Sequence, residues 1–526
     1  MNYKLKNMNC RFLKSLFGRF FTFLMALSLF ACNTNNNLVS ITLDKTALEM
    51  GIGDVHQFQV TLVPGNAVVN SLEWTTSDPE VISVTSGLVT AKSKGMANVI
   101  VSAEGKSAVC AVIVKSDKPD NIVPGENVDN AVRLPKSKKR GVSFNFSIED
   151  DVELLKSGIS WSYNWGPAPS DKMNTLFNQN GLDFYPMAWN GAFNPDKIRE
   201  YKAKNPQCEY ILAFNEPNLT DQCNNTPEQA AAYWPKLKEL AEELDMKLVS
   251  PAMNYGTLSG YHDPIKWLDE FFTLIDPNDV AAISIHSYMG NAGALKSYID
   301  LFRKYGKPIW MTEFCAWESH ISSIEAQIRF MCEAVNYMEC DPDVARYAWF
   351  IPRSTGVVDS YPYMQLLTKT KPFELSEQGK VFVNLSSMDK TIWQSTNNHI
   401  LAQTYSNICT SESNAGGFVA GPHLRPTTDE TGELELHDFL VGYWTEYQIE
   451  AMTDLSSIRM RYANYADSKC ELLVDGKVVA DISLPGTGDS GIWNTVEAPL
   501  KLSQGKHTVR LKVAKGNICV NWLKFD

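Results

Sequence analysis

The middle of this 526-residue chain, from Gly141 to about Met388, alternates short apolar runs with amphipathic stretches, and that alternation narrows the fold more than any other feature. The runs lie at 141–145, 159–165, 184–189, 210–214, 247–252, 281–286, 308–312 and 347–351. Between them, segments such as 227–244 and 324–338 repeat apolar residues every three or four positions, the period of a helix with one buried face. A run that is apolar throughout buries both of its faces, as parallel strands wrapped by helices do. Eight strand–helix units in roughly 250 residues match a (β/α)8 barrel in count and size. A doubly wound sheet fits less well, because no Gly-rich phosphate loop follows the first run.

Two runs deliver a glutamate at their C-terminal end. Tyr210-Ile211-Leu212-Ala213-Phe214 leads into Asn215-Glu216-Pro217, and Pro308-Ile309-Trp310-Met311-Thr312 leads into Glu313-Phe314. These would be strands four and seven, and the C-terminal ends of barrel strands open onto the catalytic face. Paired carboxyls there are the machinery of glycoside hydrolysis, set about 5 to 5.5 Å apart when configuration is retained. Glu216 is the candidate acid/base, which must be protonated to meet the leaving oxygen, and Glu313 the candidate nucleophile, which must be ionised. Either alone reads as structure, since an acid followed by proline often opens a helix. Together, at strands four and seven, they read as a site. His286 and Tyr288, after the sixth strand, are placed to bond the nucleophile or the substrate, although a core role for His286 is equally open. Trp165, Trp189, Trp317 and Trp349 stand at or beyond strand ends as candidates to stack on sugar rings, with about half expected to pack instead.

A net charge of −12 leaves no basic stripe for phosphates and argues against a nucleic-acid partner. The N-terminus carries Lys4, Lys6, Arg11, Lys14 and Arg19, then the mostly apolar stretch 20–31, too short to span a bilayer. Leu29-Phe30-Ala31-Cys32 resembles a bacterial lipobox, so residues 1–32 are expected to be a lipoprotein signal peptide with Cys32 lipidated. That makes a membrane a partner through the lipid and places the exported chain at the cell envelope, in the outer membrane or at the cell surface. The other cysteines show no metal-binding spacing; a Cys208–Cys223 bridge is open.

Residues 39–115 alternate in short runs separated by Gly, Pro and Asn turns, the pattern of a β-sandwich. Residues 116–139, with Pro119, Pro124, Pro135, Lys136, Lys138 and Lys139, read as a linker with a solvated charge run. Residues 392–526 return to alternating strands, a second β-sandwich of jelly-roll type. The expected architecture is thus multidomain: a (β/α)8 TIM barrel over 140–388, flanked by an immunoglobulin-like sandwich and a C-terminal sandwich.

Particular words sharpen this into resemblances. Leu72-Glu73-Trp74-Thr75-Thr76-Ser77-Asp78 and Gly87-Leu88-Val89-Thr90-Ala91 resemble the bacterial immunoglobulin-like group 2 domain. Gly141-Val142-Ser143-Phe144-Asn145, Trp161-Ser162-Tyr163-Asn164-Trp165-Gly166, Phe184-Tyr185-Pro186-Met187-Ala188-Trp189 and the two glutamate segments resemble glycoside hydrolase family 128, the Asl1-like catalytic domain of clan A. That resemblance implies retaining hydrolysis of β-1,3-glucan, laminarin-like or curdlan-like, without a cofactor. It also gives Asn215 the clan's contact to the sugar 2-hydroxyl. Ser287 departs from the aromatic the family often has there, which bears on subsites rather than chemistry. Gly442-Tyr443-Trp444-Thr445-Glu446-Tyr447 and Val520-Asn521-Trp522-Leu523-Lys524-Phe525 resemble carbohydrate-binding module family 6, which points to Trp493 and Asn521 as sugar contacts and to packing for Trp444 and Trp522. The family's calcium-binding acid aligns with Gln403, leaving a structural calcium open. The expected partner is β-glucan polysaccharide, with other surface polysaccharide-utilisation proteins as further candidates. Two other readings stay open: a non-catalytic surface glucan-binding protein, and a retaining clan A hydrolase acting on another β-glycan linkage.

Overall fold

The computed structural model describes residues 37–115, 122–317, 321–353, 362–409, 411–412, 418–419 and 421–526. Cys32 and the rest of the leader lie outside these. Two compact units divide the chain, 1–115 and 116–526.

In the first unit a four-stranded sheet, ordered Ala47–Gly51, Lys106–Lys115, Gly95–Ala103, Glu73–Thr76, accompanies a three-stranded one of Val55–Gln57, Leu88–Ala91 and Ile82–Thr85. Alternation along Gly95–Ala103 turns Ala97, Val99 and Val101 inward, where Val99 packs with Phe58, Ile82, Val89 and Val112. This is the immunoglobulin-like sandwich expected.

The second unit opens with eight parallel strands: Arg140–Ser143, Trp161–Tyr163, Asp183–Phe184, Tyr210–Leu212, Lys247–Val249, Val280–Ser287, Ile309–Phe314 and Val344–Trp349. Counting them one to eight along the chain, their order in the sheet is 3-2-1-8-7-6-5-4. The seam between strands three and four is closed by a parallel bridge from Met187 to Leu212 and by Ala188 N–H donating to Leu212 O at 2.9 Å. The sheet is therefore a closed barrel. Strands one, two and seven are buried at every position, as a strand covered on both faces must be. Apart from Glu149–Leu155, the helices between strands start on side-chain caps, the most complete at Pro227–Glu243, where Thr226 and Gln229 form a reciprocal capping box. That helix begins at Pro227, so the Glu216-Pro217 pair does not open a helix.

Residues 392–526 form two packed, almost wholly antiparallel sheets. One runs Gln394–Ser395, Trp444–Ala451, Gly505–Lys515, Ser468–Val474, Lys477–Leu484; the other His423–Pro426, Leu434–Leu440, Asn517–Phe525, Leu455–Asn464, Asp489–Leu502. Barrel and sandwich share one continuous apolar core. Polar groups also cross the joint: buried Tyr405 donates to Asn336 Oδ1 at 2.9 Å, and His423 lies between Glu333 and Asp438.

Two expectations need correction here. The segment before the barrel is no free linker. Val123 N–H donates to Asn494 Oδ1 at 2.9 Å, and Arg133 pairs with Glu433 at 2.6 Å. Lys139 Nζ donates to the carbonyls of Met338, Glu339 and Asp341 at 2.9, 3.0 and 2.8 Å, neutralising the C-terminal end of the helix Ile324–Cys340. Nor is there a Cys208–Cys223 bridge, because both are free, buried thiols. Burial pushes them up to about 11 and about 12, as expected of cysteines that act as small hydrophobes.

Candidate active site

Strand four ends at Leu212, and the chain continues along the barrel wall through the bridge from Asn215 to Ala252 before turning at Glu216. There φ is +45°, a left-handed conformation that a residue with a Cβ rarely adopts. Such an outlier persists only where its surroundings enforce it, and it aims the Glu216 side chain back across the barrel mouth. Glu313 lies within strand seven, paired in register with His286 of strand six. Both carboxyls are nearly buried, with Glu216 at 6 % and Glu313 at 4 % exposure.

A buried carboxylate needs donors, and Glu313 has them on each oxygen. Tyr163 Oη and Trp165 Nε1 donate to Oε1 at 2.8 and 2.7 Å. Tyr288 Oη donates to Oε2, and His286 Nδ1 stands 3.5 Å from the same oxygen. Burial, foremost, and the Glu216 charge hold the Glu313 carboxyl above the usual carboxylate range, against the pull of His286, Tyr288 and Trp165. Trp165 Nε1 can only donate, the protonated His286 Nδ1 likewise, and both phenols are placed to donate, so the ionised form is the one this cage suits best. Burial foremost, with Glu313 beside them, raises the Tyr163 and Tyr288 phenols well above 10, so both remain donors.

Glu216 is held differently. Its Oε1 accepts from Asn254 Nδ2 at 3.0 Å and meets His286 Nδ1 at 3.0 Å. One ring nitrogen thus faces both carboxyls, which identifies it as the protonated one. Burial opposes the imidazolium, but Glu313 and Glu216 outweigh it and hold His286 above its ordinary value. His286 Nε2 and Asn215 Oδ1 are buried with no protein partner among the described residues, and Asn215 Nδ2 donates to Gln222.

Of the candidates read from the sequence, Glu216, Glu313, His286, Tyr288 and Trp165 converge here, with Asn215 adjoining Glu216. Trp165 meets Glu313 through its indole N–H, and its ring lies edge-on to Tyr163 and Phe350. Trp317 stacks on Tyr288, with ring centroids 4.1 Å apart, and Trp189 is half-buried against the barrel core. Trp349 does not line the cleft: it is fully buried at the end of strand eight, edge-on to Phe314, with Nε1 donating to Met364 O at 2.7 Å. Sequence reasoning missed Tyr163 and Asn254. The signal for Tyr163 was its place in the run 159–165, two residues before Trp165, where residues of an extended stretch would share a face, although the strand itself ends at Tyr163.

The sandwich also departs from expectation. Trp493 is 4 % exposed, packed on Ala463 and Cys519, and its Nε1 donates to Thr428 Oγ1 at 3.0 Å. Asn521 is fully buried, donating to Asp429 and to Thr431 O at 2.8 and 2.6 Å, and a Cβ on Gly432 would stand 2.6 Å from its Oδ1. Neither can meet a sugar from these positions. Trp522 is buried, as expected, while half-buried Trp444 lies under the Arg510 guanidinium at 3.8 Å. Gln403 is buried, a neutral side chain where a calcium ligand would be acidic. Glu435, His437 and Cys519 come within metal-ligand range of one another. However, Arg425 Nε already donates to Glu435 at 2.5 Å, and its guanidinium lies 3.7 Å from Cys519 Sγ, so an arginine is the resident cation there.

A (β/α)8 barrel presenting two glutamates from strands four and seven belongs to the class of glycoside hydrolases, and the comparisons place it further. Residues 141–382 match the glycosyl hydrolase catalytic core, 38–112 the bacterial Ig-like domain (group 2), and 421–525 the carbohydrate binding module (family 35), in place of the family 6 expected. An endo-β-1,3-glucanase of GH128 subgroup II from Pseudomonas viridiflava is 37 % identical over 48 % of this chain and 98 % of its own, with a TM-score of 0.44. Its counterpart from Sorangium cellulosum is 31 % identical over 47 % of this chain and 97 % of its own, with a TM-score of 0.42. Alkali-sensitive linkage protein 1 of Schizosaccharomyces pombe is 28 % identical over 231 residues, 41 % of this chain and 39 % of that protein, so the chain spans about two fifths of that relative's length. The identity across nearly the whole of the bacterial catalytic domains, rather than the superposition, assigns the chain through its barrel to the GH128 glycoside hydrolases.

Proposed function

We propose that this chain is a retaining endo-β-1,3-glucanase in which Glu313 is the nucleophile and Glu216 the acid/base. The observation that carries the reading is the shared contact of His286 Nδ1, 3.0 Å from Glu216 Oε1 and 3.5 Å from Glu313 Oε2, so those oxygens lie no farther apart than the sum, 6.5 Å. That bound includes the retaining separation of about 5 to 5.5 Å and only touches the lower edge of the inverting range. In the first step a Glu313 oxygen bonds to the anomeric carbon while the bond from that carbon to the leaving oxygen breaks, and that oxygen takes the Glu216 proton. Water then attacks the same carbon, gives its proton to Glu216, and releases the Glu313 carboxylate. Asn215 Oδ1, buried without a protein partner, is an acceptor suited to a sugar hydroxyl.

The choice of β-1,3-glucan and of endo action draws support from the named activities of the two bacterial relatives. The carbohydrate-binding module would keep the barrel on the polymer, raising its local concentration there. A lipid on Cys32 would hold the chain at the cell envelope.

The test is release of reducing ends from laminarin and curdlan against β-1,4- and β-1,6-glucans, with the first-formed anomer read by NMR. The expected result is cleavage of β-1,3 linkages giving the β-anomer first, abolished in Glu313→Gln. An α-anomer first, or turnover by Glu313→Gln, overturns the mechanism; cleavage of another linkage alone overturns the substrate.

A further inference from the structure

Proton transfer needs the acid/base to carry its proton on the oxygen that faces the substrate, and nothing in a carboxyl group by itself enforces that choice. At Glu216 the surroundings do. Asn254 follows Met253, which is anchored where strand five gives way to its loop: Met253 bridges to Ile285, its N–H donates to Ser284 O at 3.0 Å, and its carbonyl accepts from His286 N–H at 2.8 Å and from Tyr298 Oη at 2.9 Å. The Asn254 carbonyl is tied in turn by Asn218 Nδ2 at 2.6 Å. The backbone that carries this side chain is thereby fixed.

The amide is fixed too. Asn254 Oδ1 accepts from the Tyr255 backbone N–H at 2.8 Å, a contact only an oxygen can make, so the NH2 end is the one turned to Glu216 Oε1 at 3.0 Å. An amide NH2 cannot accept a hydrogen bond. With Asn254 Nδ2 and His286 Nδ1 both on Oε1, a proton on that oxygen would face two donors, and Oε2 is left as the oxygen able to carry it. Of these two donors, Asn254 is the one whose N–H does not depend on a protonation state.

We infer that Asn254 is a positioning residue for the acid/base, holding the Glu216 proton on Oε2, the oxygen from which it passes to the glycosidic oxygen. This rests on the roles proposed above for Glu216 and Glu313. The ionisable groups that act on Glu216 are His286, Glu313, Tyr163, Tyr288 and Tyr298. Asn254 differs from all of them in being unable to ionise, so it donates at every pH.

The test compares wild type with Asn254→Ala and with Asn254→Asp, the isosteric change that keeps an acceptor for Tyr255 N–H, removes the donor and adds a carboxylate charge. Two substrates are used: laminarin, whose leaving oxygen needs the proton, and a 2,4-dinitrophenyl β-laminaribioside, whose leaving group does not. Both variants are expected to lose about 10-fold or more in kcat/KM on laminarin, part of the 10²–10⁴ that a general acid supplies, with little loss on the aryl substrate. Equal losses on the two substrates overturn the positioning role while leaving the glycosidase reading intact. A wild type that cleaves neither substrate overturns both.

Discussion

Trp165→Phe tests whether donors hold the charge on the nucleophile. The indole Nε1 donates to Glu313 Oε1 at 2.7 Å, and the ring packs edge-on against Tyr163 and Phe350 with centroids at 5.6 and 5.8 Å. Phenylalanine preserves much of that packing and removes the N–H. A hydrogen bond to a charged group is worth about 1.5–3 kcal/mol net, and its loss favours the protonated form, so the Glu313 carboxyl should rise further above its already raised position. The sign follows from the chemistry. Glu313 attacks only when ionised, so the acid limb of kcat/KM moves to higher pH, while the plateau falls less because Tyr163 still donates to the same oxygen. The assay is the pH profile of kcat/KM on soluble laminari-oligosaccharides, with the thermal midpoint recorded beside it. An acid limb that stays in place in a folded Trp165→Phe would mean the indole does not stabilise the carboxylate, and the four-donor account of Glu313 would fail. Tyr163→Phe should act in the same direction, and the double variant should exceed the sum of the two, since it strips one buried oxygen of both donors.

Two further outcomes follow from the fold and a third from the proposed anchor. Trp493→Ala should destabilise the C-terminal sandwich by about 3–5 kcal/mol, as for a large buried aromatic, and a thermal midpoint equal to wild type would contradict its burial. His423, raised above its ordinary 6.5 because Asp438 and Glu333 outweigh the opposing effect of burial, contributes stability that is complete below about pH 6.5 and is lost as pH rises through the folded-state value. Asp438, held down to about 2, stays ionised throughout that window, so the chain should melt higher at pH 6 than at pH 8, with a smaller difference in His423→Ala. If Cys32 carries the proposed lipid, Cys32→Ala should move the chain from the membrane to the soluble fraction; retention after a salt wash would refute the anchor.

The barrel was legible because burial on both faces erases alternation, and eight such runs separated by helical periods admit few other arrangements. Its exact strands were less so. The third run, 184–189, shortens to Asp183–Phe184 because the seam it faces is closed by one bridge and a few hydrogen bonds, a matter of register that apolarity cannot encode. The charge run before the barrel failed for a different reason: that Lys139 would meet three carbonyls at a helix end depends on a helix distant in sequence. In the last sandwich strand, Asn517–Phe525, all but two positions are buried, since Asp429 and the loop around it cover the side that the core does not. There too the alternation that would have set Asn521 inside or out is gone.

The two glutamates could be read from sequence because strand ends are places a pattern can mark, whereas the groups that tell them apart could not. Glu313 meets donors on both oxygens, drawn from strands two and six and the loops beyond them. Glu216 meets them on Oε1, from the loop after strand five and from strand six. Donors on both oxygens suit a carboxyl that works ionised; donors on one suit a carboxyl that keeps the other for a proton in transit. The assignment of nucleophile and acid/base therefore rests on an inequality between two chemically identical side chains, set by Tyr163, Trp165, Tyr288, His286 and Asn254. Tyr163 and Asn254 carry no motif of their own, yet exchanging the donor sets would exchange the roles.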